Sequence, residues 1–297
     1  MSRFNENKSV IETIANSIRN IPDPPSGDRG KLYIIKIGGN VIDDEKNLHS
    51  FLKAFAKTFG ANAPSFRGRG LLVHGGGKIA TAIGDKLNIH SQYIDGRRIT
   101  DDDTIDLVTM VYGGLINKKI VATLQGLKCN AIGLCGADGN SIKAVKRPVK
   151  AIDYGWVGDI DSSKIDTGIW QLFIDNGWVP VVASLTHDRE GHILNTNADT
   201  IASALAAALA GLYEVHLIFC FEKNGVLTDV NDENSVITEL NSAVYQSLKE
   251  NNKLFAGILP KIDNAFDAIH KGVKEVVIGN SENFLQLINN QSGTKII

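Results

Sequence analysis

Apolar and polar positions alternate along the chain in two different ways. Short apolar runs, each ending at glycine or polar residues, are separated by longer stretches whose apolar positions recur at helical spacing. The short runs predict buried strands at residues 32–37, 70–73, 131–134, 179–183, 215–219 and 275–278. The longer stretches predict helices at residues 48–59, from 78 onward, and at 103–125, 198–210 and 263–271. This succession is typical of an α/β protein with a mostly parallel sheet covered on both faces.

A polar segment precedes the first predicted strand. Val10, Ile14 and Ile18 lie four residues apart, which is the spacing of one face of a short helix. Prolines at positions 22, 24 and 25 end this helix. Residues 1–30 are therefore predicted to form a helical arm and a linker. From the sequence, the arm could equally cap the fold or mediate oligomerisation.

The composition narrows the class of protein. With 43% hydrophobic residues, 22% charged residues and a net charge of −2, the 297-residue chain is typical of a soluble globular protein. This charge provides no attraction to nucleic acid or to an anionic membrane. Cys129, Cys135 and Cys220 are odd in number and lack Cys-x-x-Cys spacing, which indicates reduced thiols. The longest apolar stretch, 201–212, is too short to span a bilayer, so a cytoplasmic protein is predicted.

Glycine clusters follow three of the predicted strands, at residues 38–39, 75–77 and 133–136. None has the spacing of a phosphate loop or of a dinucleotide-binding turn. Lys36 lies two residues before the first cluster, inside an otherwise apolar strand. A lysine there is unfavourable unless it faces solvent or an anion, and the adjacent glycines favour an anion.

Three further polar clusters lie close to predicted helix starts. Arg98 follows a glycine at position 96, and its guanidinium is suited to bidentate binding of a carboxylate or phosphate. The run at 195–199 contains two asparagines, a threonine and an aspartate, which is more than an N-cap requires. Lys261 precedes a helix, where the helix dipole disfavours a cation unless it faces an anion.

Taken in chain order, these clusters resemble the amino acid kinase family and, within it, the acetylglutamate kinases. The matching motifs are Lys-Ile-Gly-Gly-Asn at 36–40, His-Gly-Gly-Gly at 74–77, Gly-Arg-Arg-Ile-Thr at 96–100, Asn-Thr-Asn-Ala-Asp at 195–199 and Gly-Ile-Leu-Pro-Lys at 257–261. Each motif alone is modest, whereas five in register are specific. The resemblance extends over residues 31–297.

The resemblance implies an enzyme and its organisation. The expected fold is a three-layer αβα sandwich with two lobes, of which 31–185 would bind the acylglutamate and 186–297 the nucleotide. The expected reaction is ATP-dependent phosphorylation of the side-chain carboxylate of N-acetylglutamate, a step of arginine biosynthesis. Mg²⁺ would enter with ATP, without a protein metal ligand or a tightly bound cofactor. A homodimer or larger homo-oligomer is expected, and neither nucleic acid nor membrane is an expected partner.

The resemblance also implies residue roles. The expected catalytic residues are Lys36, Asp199 and Lys261, with Asp199 orienting both lysines. The backbone N–H groups of Gly39, Gly75 and Gly76 would contact the phosphates. Arg98 and Asn195 would hold the acceptor carboxylates.

Several alternatives stay open at this point. Lys78 is an additional cation that would favour a succinyl over an acetyl group if it lined the acyl pocket. Another acyl-phosphate kinase, such as a carbamate or aspartate kinase, and a non-catalytic sensor of arginine or nucleotide are the competing functions. The segment 221–225 departs from the family at the nucleotide, and residues 290–294 lack features of arginine-inhibited relatives. A face with Leu107, Met110, Val111 and Leu115 could form a dimer contact or pack on the chain's own sheet.

Overall fold

The computed structural model describes residues 29–61, 68–94, 96–229, 231–251, 254 and 258–297. The predicted N-terminal arm lies outside these residues, apart from its last two positions.

The strands in the described ranges have the following bounds. They are β1 (Lys31–Ile37), β2 (Gly68–His74), β3 (Tyr93–Ile94), β4 (Arg97–Arg98), β5 (Ala131–Leu134), β6 (Ala144–Lys146), β7 (Gly158–Ile160), β8 (Val179–Ala183), β9 (Leu185–His187), β10 (Ile193–Asn195), β11 (Glu214–Phe221), β12 (Glu239–Leu240), β13 (Glu275–Asn280) and β14 (Thr294–Ile296). Eight of them form one sheet in the order β12-β14-β13-β11-β1-β2-β8-β5. All neighbours in this sheet are parallel except β13 and β14, which confirms the predicted mostly parallel sheet.

The helices alternate with the strands of the sheet. They are α1 (Gly39–Ile42), α2 (Glu45–Phe59), α3 (Gly77–Lys86), α4 (Asp102–Val108), α5 (Asn117–Gly126), α6 (Thr167–Asp175), α7 (Ala198–Leu209), α8 (Ser242–Glu250), α9 (Leu259–His270) and α10 (Phe284–Ile288). A π-helical segment, Thr109–Ile116, joins α4 to α5, and these three pieces are called the long helix below.

Side chains of β1 show how the sheet is covered on both sides. Successive residues of a strand point to opposite faces. Leu32 and Ile34 pack in one cluster with α6, α7 and α9. Tyr33, Ile35 and Ile37 pack in a second cluster with α2, the long helix and α10. Two helical layers therefore enclose the sheet, and the predicted three-layer αβα arrangement is confirmed.

Some elements differ from the prediction. Helix α9 begins at Leu259 rather than at residue 263, because proline is compatible with the first turn of a helix and does not delay its start. Helices α6 and α8 were not predicted, although Asp166 and Asn241 cap their first turns through side-chain oxygens. Such caps are the sequence signal that locates both helices.

The long helix carries the four apolar residues for which the sequence left open either a dimer contact or packing on the chain's own sheet. Leu107 and Val111 are buried, whereas Met110 is 56% and Leu115 41% exposed. Packing on the chain's own sheet, one of the two alternatives left open by the sequence, therefore applies to Leu107 and Val111. Only Met110 and Leu115 remain accessible to a partner.

The stretch Asp102–Gly126 also passes the length and composition criteria for a membrane-spanning helix. Its residues Leu107, Ile120 and Leu124 are fully buried in the cluster beneath the sheet. One face of this stretch therefore packs in the protein core, while Met110 and Leu115 are exposed.

Candidate active site

Three charged side chains meet at the carboxyl ends of the strands. Lys36 lies near the end of β1 and shares a face with Leu32 and Ile34, because alternate strand residues point the same way. That face is covered by α7, whose first turn contains Asp199. Lys36 Nζ lies 2.9 Å from Asp199 Oδ1, and Lys261 Nζ lies 2.5 Å from Asp199 Oδ2. The structure thus brings together the three residues that were predicted to be catalytic.

Burial and charge pairing have opposite effects on the pKa of Asp199. The residue is 8% exposed, and removal from water disfavours its ionised form. The nearby Lys36 and Lys261 outweigh this effect and lower the pKa of Asp199 to about 2. Burial lowers the pKa of Lys261, and Asp199 opposes that change. Two basic side chains facing one ionised carboxylate form a site that is suited to a further anion.

The glycine turn after β1 lies beside this cluster. A Cβ atom on Gly38 would lie 3.0 Å from Lys36 Nζ, so the turn is close to the ammonium group. Gly39 begins α1, and the first amides of a helix have no acceptor within the helix. The turn therefore presents N–H groups near Lys36.

The glycine turn after β2 lies against the start of α7. A Cβ atom on Gly75 would lie 3.9 Å from the Cβ of Ala198, the residue before Asp199. Gly76 has a φ of +155°, and a Cβ atom there would overlap Ile116 Cδ1. Glycine is required at position 76 for both reasons. The second turn therefore lies next to the start of α7, which carries Asp199.

Arg98 lies at the far side of the second glycine turn. Its Nη2 group donates to Gly77 O at 2.8 Å and to Thr81 Oγ1 at 2.9 Å. Its Nη1 group donates to Ser91 Oγ, and the guanidinium lies 4.9 Å from the ring centre of Tyr93. These contacts fix the plane of the guanidinium group. Because an arginine has five N–H donors, it can make these contacts and still donate to a ligand. Arg98 is thus a pre-oriented cation beside the turn.

The residues of the run at 195–199 have different roles in the structure. Asn197 Oδ1 accepts from the N–H of Asp199 at 2.8 Å and caps α7. Asn195, at the end of β10, donates from Nδ2 to Thr100 Oγ1 at 3.0 Å. Thr100 follows Arg98 by two residues, so Asn195 and Arg98 belong to one neighbourhood. Thr100 Oγ1 also donates to Arg98 O at 3.4 Å, so Thr100 links the Asn195 side chain to the backbone of Arg98.

Lys78 differs from the other predicted site residues. Its side chain is 75% exposed, and its Nζ lies 3.5 Å from Asp43 Oδ2. Burial raises the pKa of Asp43, and the charge of Lys78 opposes that change. Lys78 already pairs with a carboxylate at the surface, which gives no support to a buried acyl pocket around it.

His74 is a site residue that the sequence reasoning did not assign. It is fully buried, and burial lowers its pKa to about 4. Its Nδ1 lies 2.8 Å from Gly75 O, and its Nε2 lies 3.1 Å from Asn117 Nδ2. Because an amide nitrogen donates, Nε2 accepts and the Nδ1–H donates to the carbonyl. A neutral ring therefore anchors the second glycine turn to the long helix. Its position directly before three glycines was the available signal.

A cavity of about 520 Å³ lies apart from this cluster, between α1, α2, α3 and the long helix. Ile42, Leu52, Ile79 and Ile116 are among its lining residues, and none of the three charged residues lines it. Within the described ranges, no group of three or more His, Cys, Asp or Glu side chains could hold a metal ion.

The amino-acid sequence is similar to those of known kinases. The chain is similar to the acetylglutamate kinase of Cytophaga hutchinsonii, with 51% identity over 90% of this chain and 98% of that protein. It is also similar to the acetylglutamate kinase of Bacteroides thetaiotaomicron, with 48% identity over 90% of this chain and 99% of that protein.

Solved structures share the fold. An N-acetylglutamate synthase from Neisseria gonorrhoeae has a TM-score of 0.74 at 20% identity and covers 95% of this chain, which covers 61% of it. A carbamate kinase from Giardia lamblia has a TM-score of 0.64 at 16% identity, with 90% and 98% coverage respectively. At these identities the likeness concerns the fold alone.

The match to a family is decisive. The family model for amino acid kinases matches residues 31–280, which include both glycine turns and all three charged residues of the cluster. From this match and from its curated relatives, the chain belongs to the amino acid kinase family.

Proposed function

We propose that this chain transfers the γ-phosphoryl group of ATP to the side-chain carboxylate of N-acetylglutamate. The observation that carries the proposal is the pair of lysines on one buried carboxylate beside two glycine turns. The relatives named acetylglutamate kinase, at 48–51% identity over nearly their whole length, support this acceptor. The product is an acyl phosphate, an intermediate of arginine biosynthesis.

The chemistry of the acceptor suits a site without a general base. A glutamate side chain has a reference pKa of about 4.3 and is already ionised at neutral pH. The protein must instead stabilise the charge that spreads over the transferring phosphoryl group. Lys36 and Lys261 serve this purpose, and Asp199 holds both of them in position. The N–H groups of Gly39, Gly75 and Gly76 contact the phosphates.

The remaining predicted residues bind the acceptor. Arg98 and Asn195 hold its carboxylates, because one is an oriented cation and the other an amide donor in the same neighbourhood. Mg²⁺ bound to ATP would neutralise part of the phosphate charge. In this proposal residues 31–185 bind the acylglutamate and 186–297 bind ATP. The Lys36–Asp199 pair then joins the two lobes.

An acceptor screen tests the function. In a coupled ATPase assay with acetylglutamate, succinylglutamate, free glutamate, carbamate and aspartate, we expect the highest kcat/KM with acetylglutamate. Lys78→Ala should leave the preference for acetyl over succinyl unchanged, because Lys78 is exposed and paired with Asp43. A wild-type preference for succinylglutamate that Lys78→Ala abolishes would reverse the assignment of the acyl group. Absence of turnover with every acylglutamate, despite ATP binding, would favour the non-catalytic sensor.

A homodimer is the second expectation, with Met110 and Leu115 of the long helix in the contact. Both are exposed apolar residues on one segment. Light scattering at micromolar concentration should give at least twice the monomer mass of 32.1 kDa. Met110→Glu should weaken the association, whereas Leu172→Glu on α6, which replaces an apolar residue that is also exposed, should not. A wild type that stays monomeric would reject the dimer.

A further inference from the structure

A short backbone segment, residues 154–157, lies between the two residues assigned to the acceptor, and it is called the strap below. On one side it pairs with Thr100, which follows Arg98. The N–H of Thr100 donates to Tyr154 O at 3.0 Å, and the N–H of Trp156 donates to Thr100 O at 2.7 Å. The strap is thereby attached to the segment that carries Arg98.

The other side of the strap pairs with β10. The N–H of Asn195 donates to Trp156 O at 2.8 Å. The side-chain Nδ2 of Asn195 reaches across to Thr100 Oγ1 at 3.0 Å, and Thr100 is fully buried. The strap therefore sets the spacing between the Arg98 segment and Asn195, through both N–H and C=O of Trp156.

The side chain of Trp156 connects the strap to α4, to β6 and to the loop between β9 and β10. Its Nε1–H donates to Asp102 Oδ1 at 2.6 Å, at the start of α4. Its ring stacks with His192 at a centroid distance of 4.7 Å. Lys146 Nζ, on β6, lies 3.7 Å from the ring centre. Stacking and cation–π contacts of this kind are favourable and hold the ring in one position, so the indole is an anchor for the strap.

Gly155 explains why the strap can approach Thr100 so closely. Its φ is +70°, a conformation that favours glycine, and a Cβ atom there would overlap Thr100 O. Gly177 offers a matched comparison, because its φ is +76° but no atom lies within 4 Å of its hypothetical Cβ. Alanine at either position introduces similar backbone strain, and only at position 155 does it collide with Thr100.

We propose that Trp156 is a positioning residue for the acceptor, acting through the strap to fix the spacing of Arg98 and Asn195. This inference rests on the proposed function, because the acceptor roles of Arg98 and Asn195 come from it. Trp156 positions groups that contact the acceptor equally in the ground state and in the transition state. Its loss should therefore raise KM for the acceptor and leave kcat nearly unchanged.

Steady-state kinetics of Trp156→Ala and Trp156→Phe test the inference. Trp156→Ala should raise KM for acetylglutamate about tenfold, while kcat and KM for ATP stay within about twofold. Trp156→Phe keeps the stacking but loses the bond to Asp102, so it should give a smaller rise. Gly155→Ala should raise the same KM, and Gly177→Ala should not, although both lower the melting temperature.

The outcomes separate the two levels of the proposal. A wild type without turnover on acetylglutamate refutes the proposed function and, with it, the acceptor role of the strap. Turnover by the wild type, with KM for acetylglutamate unchanged in Trp156→Ala, refutes the strap alone. An equal rise in KM for both substrates would show a general loss of structure instead. If Gly155→Ala does not fold, the two Trp156 variants decide.

Discussion

Alanine in place of Lys36 or Lys261 is expected to lower kcat by about 10²–10³, with much smaller changes in KM for acetylglutamate. Each lysine is assigned to charge that grows as the phosphoryl group transfers, and each faces the same buried carboxylate. Removal of one lysine leaves Asp199 paired with the other, so the fold should persist. Steady-state kinetics on folded variants provides the measurement.

A control for this prediction lies at the C-terminal cap of the helix that contains Lys261. Lys271, at the end of α9, forms an exposed ion pair with Asp267 at 2.7 Å. Lys271→Ala removes the same charge from the chain and should leave kcat unchanged. Near-normal kcat in either Lys36→Ala or Lys261→Ala would remove that lysine from the mechanism.

Asp199→Asn is expected to reduce kcat to a similar extent, for a different reason. The carboxylate holds two lysines and is not assigned a contact with substrate, so the amide keeps the shape and loses the charge pairing. The pKa of Asp199, about 2, lies below its ordinary value of 3.8. Its ionised form therefore stabilises the fold above pH about 4, and this contribution is lost as the pH falls towards 2. Activity at neutral pH should not titrate with this group.

A double-mutant cycle tests the coupling between Asp199 and Lys36. If the carboxylate acts by positioning the lysine, the double variant Lys36→Ala with Asp199→Asn should lose much less than the product of the two single losses. Asp267→Asn, at an exposed pair on α9, is the matched control and should leave kcat unchanged. Defects of Lys36→Ala and Asp199→Asn that simply multiply would contradict a shared cluster.

Local patterns predicted the parallel core of the fold well, because they depend on residues that are near in sequence. β5 and β8 have the predicted bounds, and α7 begins at Ala198 as predicted. The hairpins β3–β4, β6–β7 and β9–β10 were missed because strands of two or three residues are too short to show a period of two. The π-helical segment was missed for another reason, since its apolar residues continue the pattern of the flanking helices.

The amino-acid sequence by itself determined the kind of site. A lysine in an apolar strand, glycines after two strands and a polar run before an alanine-rich helix already indicated an anion-binding edge. The chemistry of these residues depends on their types and on their spacing along the chain, and both are visible before the chain folds. The sequence, through its resemblance to the family, also singled out Lys36, Asp199 and Lys261. It left Lys78 with a possible role in the acyl pocket that its surface position does not support.

Only the tertiary structure decided which of these groups meet. Lys261 and Asp199 are 62 residues apart in sequence, and Asn195 and Thr100 are 95 apart. A local sequence pattern cannot predict contacts between residues so far apart in the chain. These contacts follow from the order of strands in the sheet and from the packing of α7 on its face. The same holds for the strap at Trp156 and for the neutral ring of His74, whose partners come from separate elements. Burial of Asp199, Lys261 and His74, which contributes to the shifts of their pKa values, arises only when the chain closes around them.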